Sequence, residues 1–365
     1  MANPTTTIRL GIIGCGKVAW ERHLPALLRL PEIRVVATVD PITARSNALG
    51  ERFGAQHRLS DYRALLELPG IDAVAVLTPT ASHAEIGVAA LDAGKHLLME
   101  KPVALSLAGC DQLIERAVRS PSKVVVGFNL RWHRLVRRAR AFLDSGALGR
   151  IKVIRCAYTH DRTGETAPDW HCKLELGGGV TLNEAVHHFD LWRYLTGSDV
   201  DQVFSYGNPS QYYEEETCVI NGRMSDGALA TGVFTLRTAP NSEVEIYGEL
   251  GRLYLSLYRF DGLEFYPHSI YGGNFMDRLK KTLAAIASLP EAVPILRRGG
   301  DFQATFFGLW RHFVDCILLD RPSQSTLEDG KASLRVALAA IKSFRSGRPV
   351  GVLTAGSRES KPLDG

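Results

Sequence analysis

Gly14, Gly16 and Ala19 lie in the stretch Gly14-Cys15-Gly16-Lys17-Val18-Ala19, directly after the apolar run Ile8–Ile13 and directly before a helical pattern. Glycine pairs occur by chance, but a strand, this turn and a helix in succession are the setting in which a dinucleotide is bound. Gly14 permits the tight turn, Gly16 lets the backbone approach a pyrophosphate, and Ala19 is small enough for the helix to pack on the strand. The pyrophosphate then meets the positive end of the first helix. A second apolar run ends in Val39-Asp40, at the offset of about 20 residues where an acid accepts hydrogen bonds from the ribose hydroxyls. A carboxylate there repels a 2′-phosphate, which favours NAD over NADP, although Arg45 nearby offers a cation. Cys15, inside the turn, reads as a small filler.

The elements that must position this turn alternate regularly. Strand-like runs at Ile8–Ile13, Arg34–Val39, Ala73–Leu77, His96–Met99 and Lys123–Phe128 are separated by helical patterns at Val18–Leu30, Thr43–Phe53, Ala81–Ala93 and Leu105–Arg119. Gly54 and Gly94 stand where helix stops belong. Continuously apolar strands between helices predict a parallel sheet covered on both faces, an α/β Rossmann domain over residues 1–128. After about Phe128 the pattern changes. Helices are expected at Arg134–Ser145 and near Thr181–Thr196, with strands at Ile151–Thr159, Val203–Gly207, Thr217–Arg223, Ala228–Thr235, Glu243–Gly248 and Arg252–Ser256. Ser225-Asp226-Gly227 and Gly248–Gly251 predict hairpins. Helices return at Phe302–Leu319 and Gly330–Ser346, while 257–300 gives only a loop and a helix near Phe275–Ala287. Residues 129–353 thus read as an α+β domain on an open, mostly antiparallel sheet, and 354–365 as a polar, frayed tail.

Bulk composition narrows the function classes. The chain has 365 residues, 45% of them hydrophobic and 22% charged, enough for two cores. Its formal charge of +4 is too small and scattered to argue for nucleic acid. Arg131, His133, Arg134, Arg137, Arg138 and Arg140 form a local basic cluster, read mainly as a solvated helix face. Six cysteines without a CxxC pair read as reduced thiols in a cytoplasmic protein. The N-terminus lacks the pattern of a signal peptide, and no apolar stretch approaches the roughly 18–20 residues of a membrane helix.

Further motifs occur in order. Thr78-Pro79-Thr80-Ala81-Ser82-His83 follows the run Ala73–Leu77, and Gly94-Lys95-His96-Leu97-Leu98-Met99-Glu100-Lys101-Pro102 contains the next strand. Gly127-Phe128-Asn129-Leu130-Arg131-Trp132 and Ser145-Gly146-Ala147-Leu148-Gly149 come next. Gly177-Gly178-Gly179 then precedes Asn183, His187 and Asp190, and Gly347-Arg348-Pro349-Val350 closes the series. Together these resemble the Gfo/Idh/MocA family, the glucose-fructose oxidoreductase and inositol dehydrogenase group, over about residues 8–350. The resemblance implies a substrate site between the second sheet and a nicotinamide, and an NAD(P)-dependent dehydrogenase or ketoreductase acting on a sugar, sugar nucleotide or cyclitol. Two other activities occur among relatives: glycoside cleavage with tightly held NAD, and non-catalytic dinucleotide-binding regulation. Retention of both Lys101 and His187 argues against the regulator. The resemblance also implies a homodimer or homotetramer.

By that likeness, Lys101 corresponds to the family's catalytic lysine and His187 to its catalytic histidine, and the peptide before Pro102 is often cis, aiming Lys101 into the site. Oxidising an alcohol leaves a proton on oxygen, which a histidine titrating near neutrality can take. A lysine can stabilise charge building on that oxygen. Many relatives carry aspartate where this chain has Asn183; on a helix Asn183 and His187 share a face. Asparagine cannot take a proton but hydrogen-bonds a hydroxyl, and some sugar-nucleotide dehydrogenases of the family have it. Cofactor contacts are expected from Gly14, Cys15, Gly16, Lys17, Val18, Asp40, Arg45, Thr78, Pro79, Thr80, His83, Glu100, Lys101 and Asn129, with His83 weighed more for packing than catalysis. Substrate contacts are expected from Lys101, Arg131, Arg162, Trp170, Asn183 and His187. His160, Arg162, Asp169 and Trp170 flank the loop before the glycine triplet Gly177–Gly179. No metal is expected, because adjacent His187 and His188 point about 100° apart on a helix.

Overall fold

The computed structural model describes residues 7–163, 167–268, 275–287 and 299–352, with isolated residues between 288 and 298. The tail 354–365 lies outside the described residues. The first sheet contains β1 (Ile8–Ile13), β2 (Ile33–Val39), β3 (His57–Leu59), β4 (Ala73–Val76), β5 (His96–Met99) and β6 (Val124–Val126). All its pairings are parallel, in the order β3-β2-β1-β4-β5-β6. That order reverses between β1 and β4, and the reversal opens a crevice at the carboxyl ends of the strands. Central strands β4 and β5 are buried almost throughout because helices cover both faces. The strand β3 and the helix Tyr62–Leu66 were not expected; three and five residues are too few for a periodic signal, and β3 faces solvent.

The expected helix Val18–Leu30 forms in two pieces, a wide π turn at Ala19–His23 and a short α-helix at Leu24–Leu27. Pro25 explains the break, since it has no N–H for the usual bond four residues back. A similar π turn, Thr181–Ala185, opens the helix Val186–Thr196. Both wide turns lie at the cleft described below, the placement π turns favour.

The second sheet runs β13-β12-β11-β7-β10-β9-β8-β14. Its strands are β7 (Ile151–Asp161), β8 (Val200–Asn208), β9 (Thr217–Met224), β10 (Leu229–Thr235), β11 (Arg237–Gly248), β12 (Gly251–Ser256), β13 (Leu263–Pro267) and β14 (Val350–Gly351). All neighbours are antiparallel except β7 and β10. Both expected hairpins form, β9–β10 and β11–β12. β13 was missed in the region that gave only a loop, and the helix Phe275–Ala287 is present. One face packs on the helix Val186–Thr196, where Phe189 and Trp192 are fully buried. The other is open, and Tyr206, Val219 and Val233 lie opposite one another on adjacent strands with their side chains exposed.

Two late helices tie the halves together. Gly300–Leu318 packs Phe306, Leu309, Trp310 and Phe313 into a core with Ile8, Leu10 and Ile12 of β1, so part of the far sequence covers the first sheet. Leu327–Ser346 begins at Thr326 with a capping box to Asp329 and packs on both Leu107–Arg119 and Val186–Thr196.

Candidate active site

A cleft of about 1690 Å³ runs from the glycine turn to the inner face of the second sheet. A site for one small molecule usually measures about 300–1,000 Å³, so this one has room for a dinucleotide and a second ligand. Gly14 adopts φ +95°, and a Cβ there would lie 2.7 Å from the backbone of Leu77. Glycine is therefore required by both conformation and space. A Cβ on Gly16 would meet no protein atom, so that side of the turn faces open cleft. Asp40 is nearly buried at the end of β2, its Oδ2 accepting the Cys15 N–H at 3.0 Å and its Oδ1 the Ile42 N–H at 2.9 Å. Each carboxylate oxygen keeps a second lone pair for a ribose hydroxyl. Burial and then Asp40 push the Cys15 thiol up to about 12, so it packs as an inert neutral group.

Lys17, Val18, Arg45, Thr78, Pro79, Thr80, Glu100, Lys101 and Asn129 also line the cleft, Arg45 with an exposed side chain. His83 does not. It is buried beneath, with Nδ1 2.7 Å from the Pro102 carbonyl and Nε2 2.8 Å from the Thr78 carbonyl. The expected cofactor contact is thus replaced by a brace between the two segments that do reach the cleft. Burial pushes the His83 pKa down while those carbonyls pull it up. The Lys101-Pro102 peptide is cis.

Lys101 Nζ donates to the backbone carbonyl of Asn183 at 2.5 Å, linking the end of β5 to the π turn that packs against β10 of the second sheet. Asn183, Glu184, His187 and His188 all line the cleft, so the wide turn keeps Asn183 and His187 on one side. Burial, then Lys101 and His188, hold the His187 pKa well below its ordinary 6.5, so the ring is neutral at neutral pH. Its Nδ1 is buried without a hydrogen-bond partner. His188 is pushed to about 3 by burial alone.

Arg162 reaches in from the end of β7, donating to Glu184 Oε1 and, at 3.0 Å, to His171 Nδ1. His171 lies 3.5 Å from the Asn183 amide nitrogen, and its pKa falls to about 3 through burial, then Arg162, Lys101 and Lys17. Trp170 stacks edge-on against it at 4.0 Å. The glycine triplet explains their placement, since a Cβ on Gly178 would lie 2.4 Å from the His171 backbone. Sequence reasoning missed His171 and Glu184; the only signals were a histidine beside Trp170 and an acid beside Asn183. Tyr158, His160 and Tyr258 also line this end of the cleft, while Asp169 is exposed.

Arg131 overturns an expectation. Its side chain is buried away from the cleft, donating through Nε and Nη2 to Asp190 at 2.7 and 2.5 Å and through Nη1 to Asp329 at 3.0 Å. It ties the helix Val186–Thr196 to the start of Leu327–Ser346, since the buried charges of Arg131 and Asp190 must be paired and Asp329, half-buried, adds a second partner. Arg134 pairs with Asp301 and Arg140 with Asp144, which accounts for much of the basic cluster. No group of three metal-ligating side chains occurs among the described residues.

Comparison with known proteins gives the same picture. Residues 8–128 match the family model described as the oxidoreductase family with NAD-binding Rossmann fold, and 136–254 match the GFO/IDH/MocA C-terminal domain. The chain is 26% identical to a myo-inositol 2-dehydrogenase of Thermotoga maritima, covering 94% of this chain and 98% of that protein. It is 30% identical to dTDP-3,4-didehydro-2,6-dideoxy-alpha-D-glucose 3-reductase of Actinomadura kijaniata, over 70% of this chain and 77% of the reductase. A solved probable dehydrogenase from Thermotoga maritima superposes with a TM-score of 0.75 at 25% identity, covering 94% and 98% of the two chains.

Proposed function

Because the chain belongs to the Gfo/Idh/MocA family of NAD-binding oxidoreductases, we propose that it transfers hydride between NAD and a ring hydroxyl or ketone of a cyclitol or sugar, free or nucleotide-linked. The observation that carries this reading is the hydrogen bond from Lys101 to the Asn183 turn. It brings the end of β5, beside the glycine turn, against the helix that bears His187. The named relatives are a dehydrogenase and a reductase, which supports hydride transfer over glycoside cleavage or regulation.

In the oxidative direction the alcohol loses a hydride from carbon and a proton from oxygen, giving a ketone, NADH and a proton. When bound, the nicotinamide supplies the hydride acceptor. Asp40 would hold the adenosine ribose, the turn 14–18 the pyrophosphate, and Thr78–Thr80, Glu100 and Asn129 the nicotinamide half. Lys101 keeps further N–H donors for the reacting oxygen and stabilises its negative charge. His187, neutral through burial, accepts the proton. Asn183, Arg162, His171 and Trp170 form the far wall, where hydroxyls would be read; Arg131 has no part in it.

The protein further acts as a cytoplasmic homodimer or homotetramer in this proposal. The exposed apolar ladder Tyr206, Val219 and Val233 supports pairing through the open sheet. No helix among the described residues is long and apolar enough to cross a membrane. The test is a panel of inositols, sugars and nucleotide sugars followed at the nicotinamide absorbance band, with NAD and NADP in parallel. Turnover with a polyol and NAD is expected; NADP preference would overturn the role of Asp40, and no turnover with any polyol would overturn the substrate class.

A further inference from the structure

Trp310, His23 and Glu100 form a buried hydrogen-bonded chain that ends in the cleft beside Lys101. Trp310 Nε1–H donates to His23 Nδ1 at 3.0 Å, so that nitrogen carries no proton of its own. The His23 proton is therefore on Nε2, 2.9 Å from Glu100 Oε1. Glu100 Oε2 accepts the Lys101 backbone N–H at 3.2 Å. The His23 side chain is fully buried, with Phe306 and Trp310 edge-on at 5.2 and 5.9 Å, which blocks ring rotation. On the other side, Gly127 passes so close that a Cβ would lie 3.1 Å from the Glu100 carboxyl carbon. Burial pulls the Glu100 carboxyl up, but the His23 hydrogen bond and the Lys101 charge outweigh it and hold the group below its ordinary range. The Lys101 ammonium is engaged by the Asn183 carbonyl, not by this carboxylate.

The position of Glu100 gives the chain its meaning. It follows β5, across the β1/β4 reversal from Asp40 at the end of β2. In this sheet order the two mononucleotide halves lie on either side of the reversal. With the adenosine ribose at Asp40, Glu100 belongs to the nicotinamide half. The oxidised nicotinamide ring carries a positive charge that hydride uptake removes.

We propose that Glu100, oriented by His23 and Trp310, discriminates the redox state of the cofactor, holding NAD+ in preference to NADH and so easing release of the reduced product. The inference rests on the dinucleotide reading above. It makes His23 and Trp310 positioning residues, acting through Glu100.

The test is equilibrium binding of NAD+ and of NADH to the full chain without substrate. The two dinucleotides share every contact except the ring's charge and hydride, so a merely structural defect weakens both alike. Glu100→Gln is expected to raise the ratio of the NAD+ to the NADH dissociation constant about tenfold, the scale of one unit charge in a partly screened interior. Glu100→Asp keeps the charge and is expected to keep the ratio within about twofold of the wild type. Trp310→Phe removes the N–H that pins His23 together with part of a buried ring, a packing loss that weakens both dinucleotides alike, and is expected to raise the ratio about threefold; it decides the matter should Glu100→Gln fail to fold. Equal loss of both affinities, or no change in either, would overturn the proposal. A wild-type chain that binds neither dinucleotide would overturn the cofactor reading itself, and the inference with it.

Discussion

In the half of the cleft that begins at the glycine turn, the lining is set locally, by one turn and one carboxylate that accepts two neighbouring N–H groups. In the other half, proposed for the substrate, the lining groups are side chains drawn from the ends of β5 and β7, a short helix, a π turn and the helix after it, and they hydrogen-bond one another. The first half is a local structure, set by residues close together in the chain. The second exists only when two sheets are brought together, so it can change residue by residue while the fold stays. The histidines differ in kind as well: His171, His187 and His188 are kept neutral chiefly by burial, whereas His23 is fixed by hydrogen bonds on both nitrogens.

The largest effect that would break this contrast is at His187. Replacing it with glutamine removes the proposed proton acceptor and leaves the glycine turn untouched. A fall in kcat of about 10³-fold is expected in steady-state assays, with NAD affinity unchanged. In the wild type the acid limb of the pH–rate profile is expected below pH 6.5, because burial depresses that histidine. Gly14→Ala tests the other half. It forces a Cβ into a positive-φ position and against the Leu77 backbone, so about 3 kcal/mol of stability is expected to be lost, together with NAD binding, in denaturation and titration experiments.

The smallest effect tests burial as the source of neutrality. His188 has a folded pKa near 3, below the ordinary value of 6.5. The unfolded chain then binds a proton first as pH falls, so the stability tied to neutral His188 is complete above pH 6.5 and drains away below it. Between pH 7 and 5 this one residue costs about 2 kcal/mol. His188→Gln is expected to flatten the pH dependence of urea unfolding by that amount, and an unchanged slope would contradict the assignment.

The same contrast governs what was legible beforehand. Both sheets, the two hairpins and the glycine turn follow from local pattern, because strand alternation and turn residues act over a few positions. Lys101 and His187 were reached through ordered motifs, and spacing alone could not have paired residues from two sheets. Arg131 was misassigned for the same reason: only the fold brings Asp190 and Asp329 to it and turns it from the cleft. His83 was drawn inward by the carbonyls of Thr78 and Pro102, partners that a sequence does not advertise. His171 depends on Gly178 to reach the cleft, while Glu100 acquires His23 from the π turn near the start of the chain and, through it, Trp310 from a helix some two hundred residues later.

The most direct measurement of the central claim is turnover and NAD binding on one sample of the Lys101→Ala protein. The account predicts that kcat falls at least about 10³-fold while the NAD dissociation constant stays within about threefold of the wild type. A Lys101→Ala protein that binds NAD normally and turns over at the wild-type rate would contradict it.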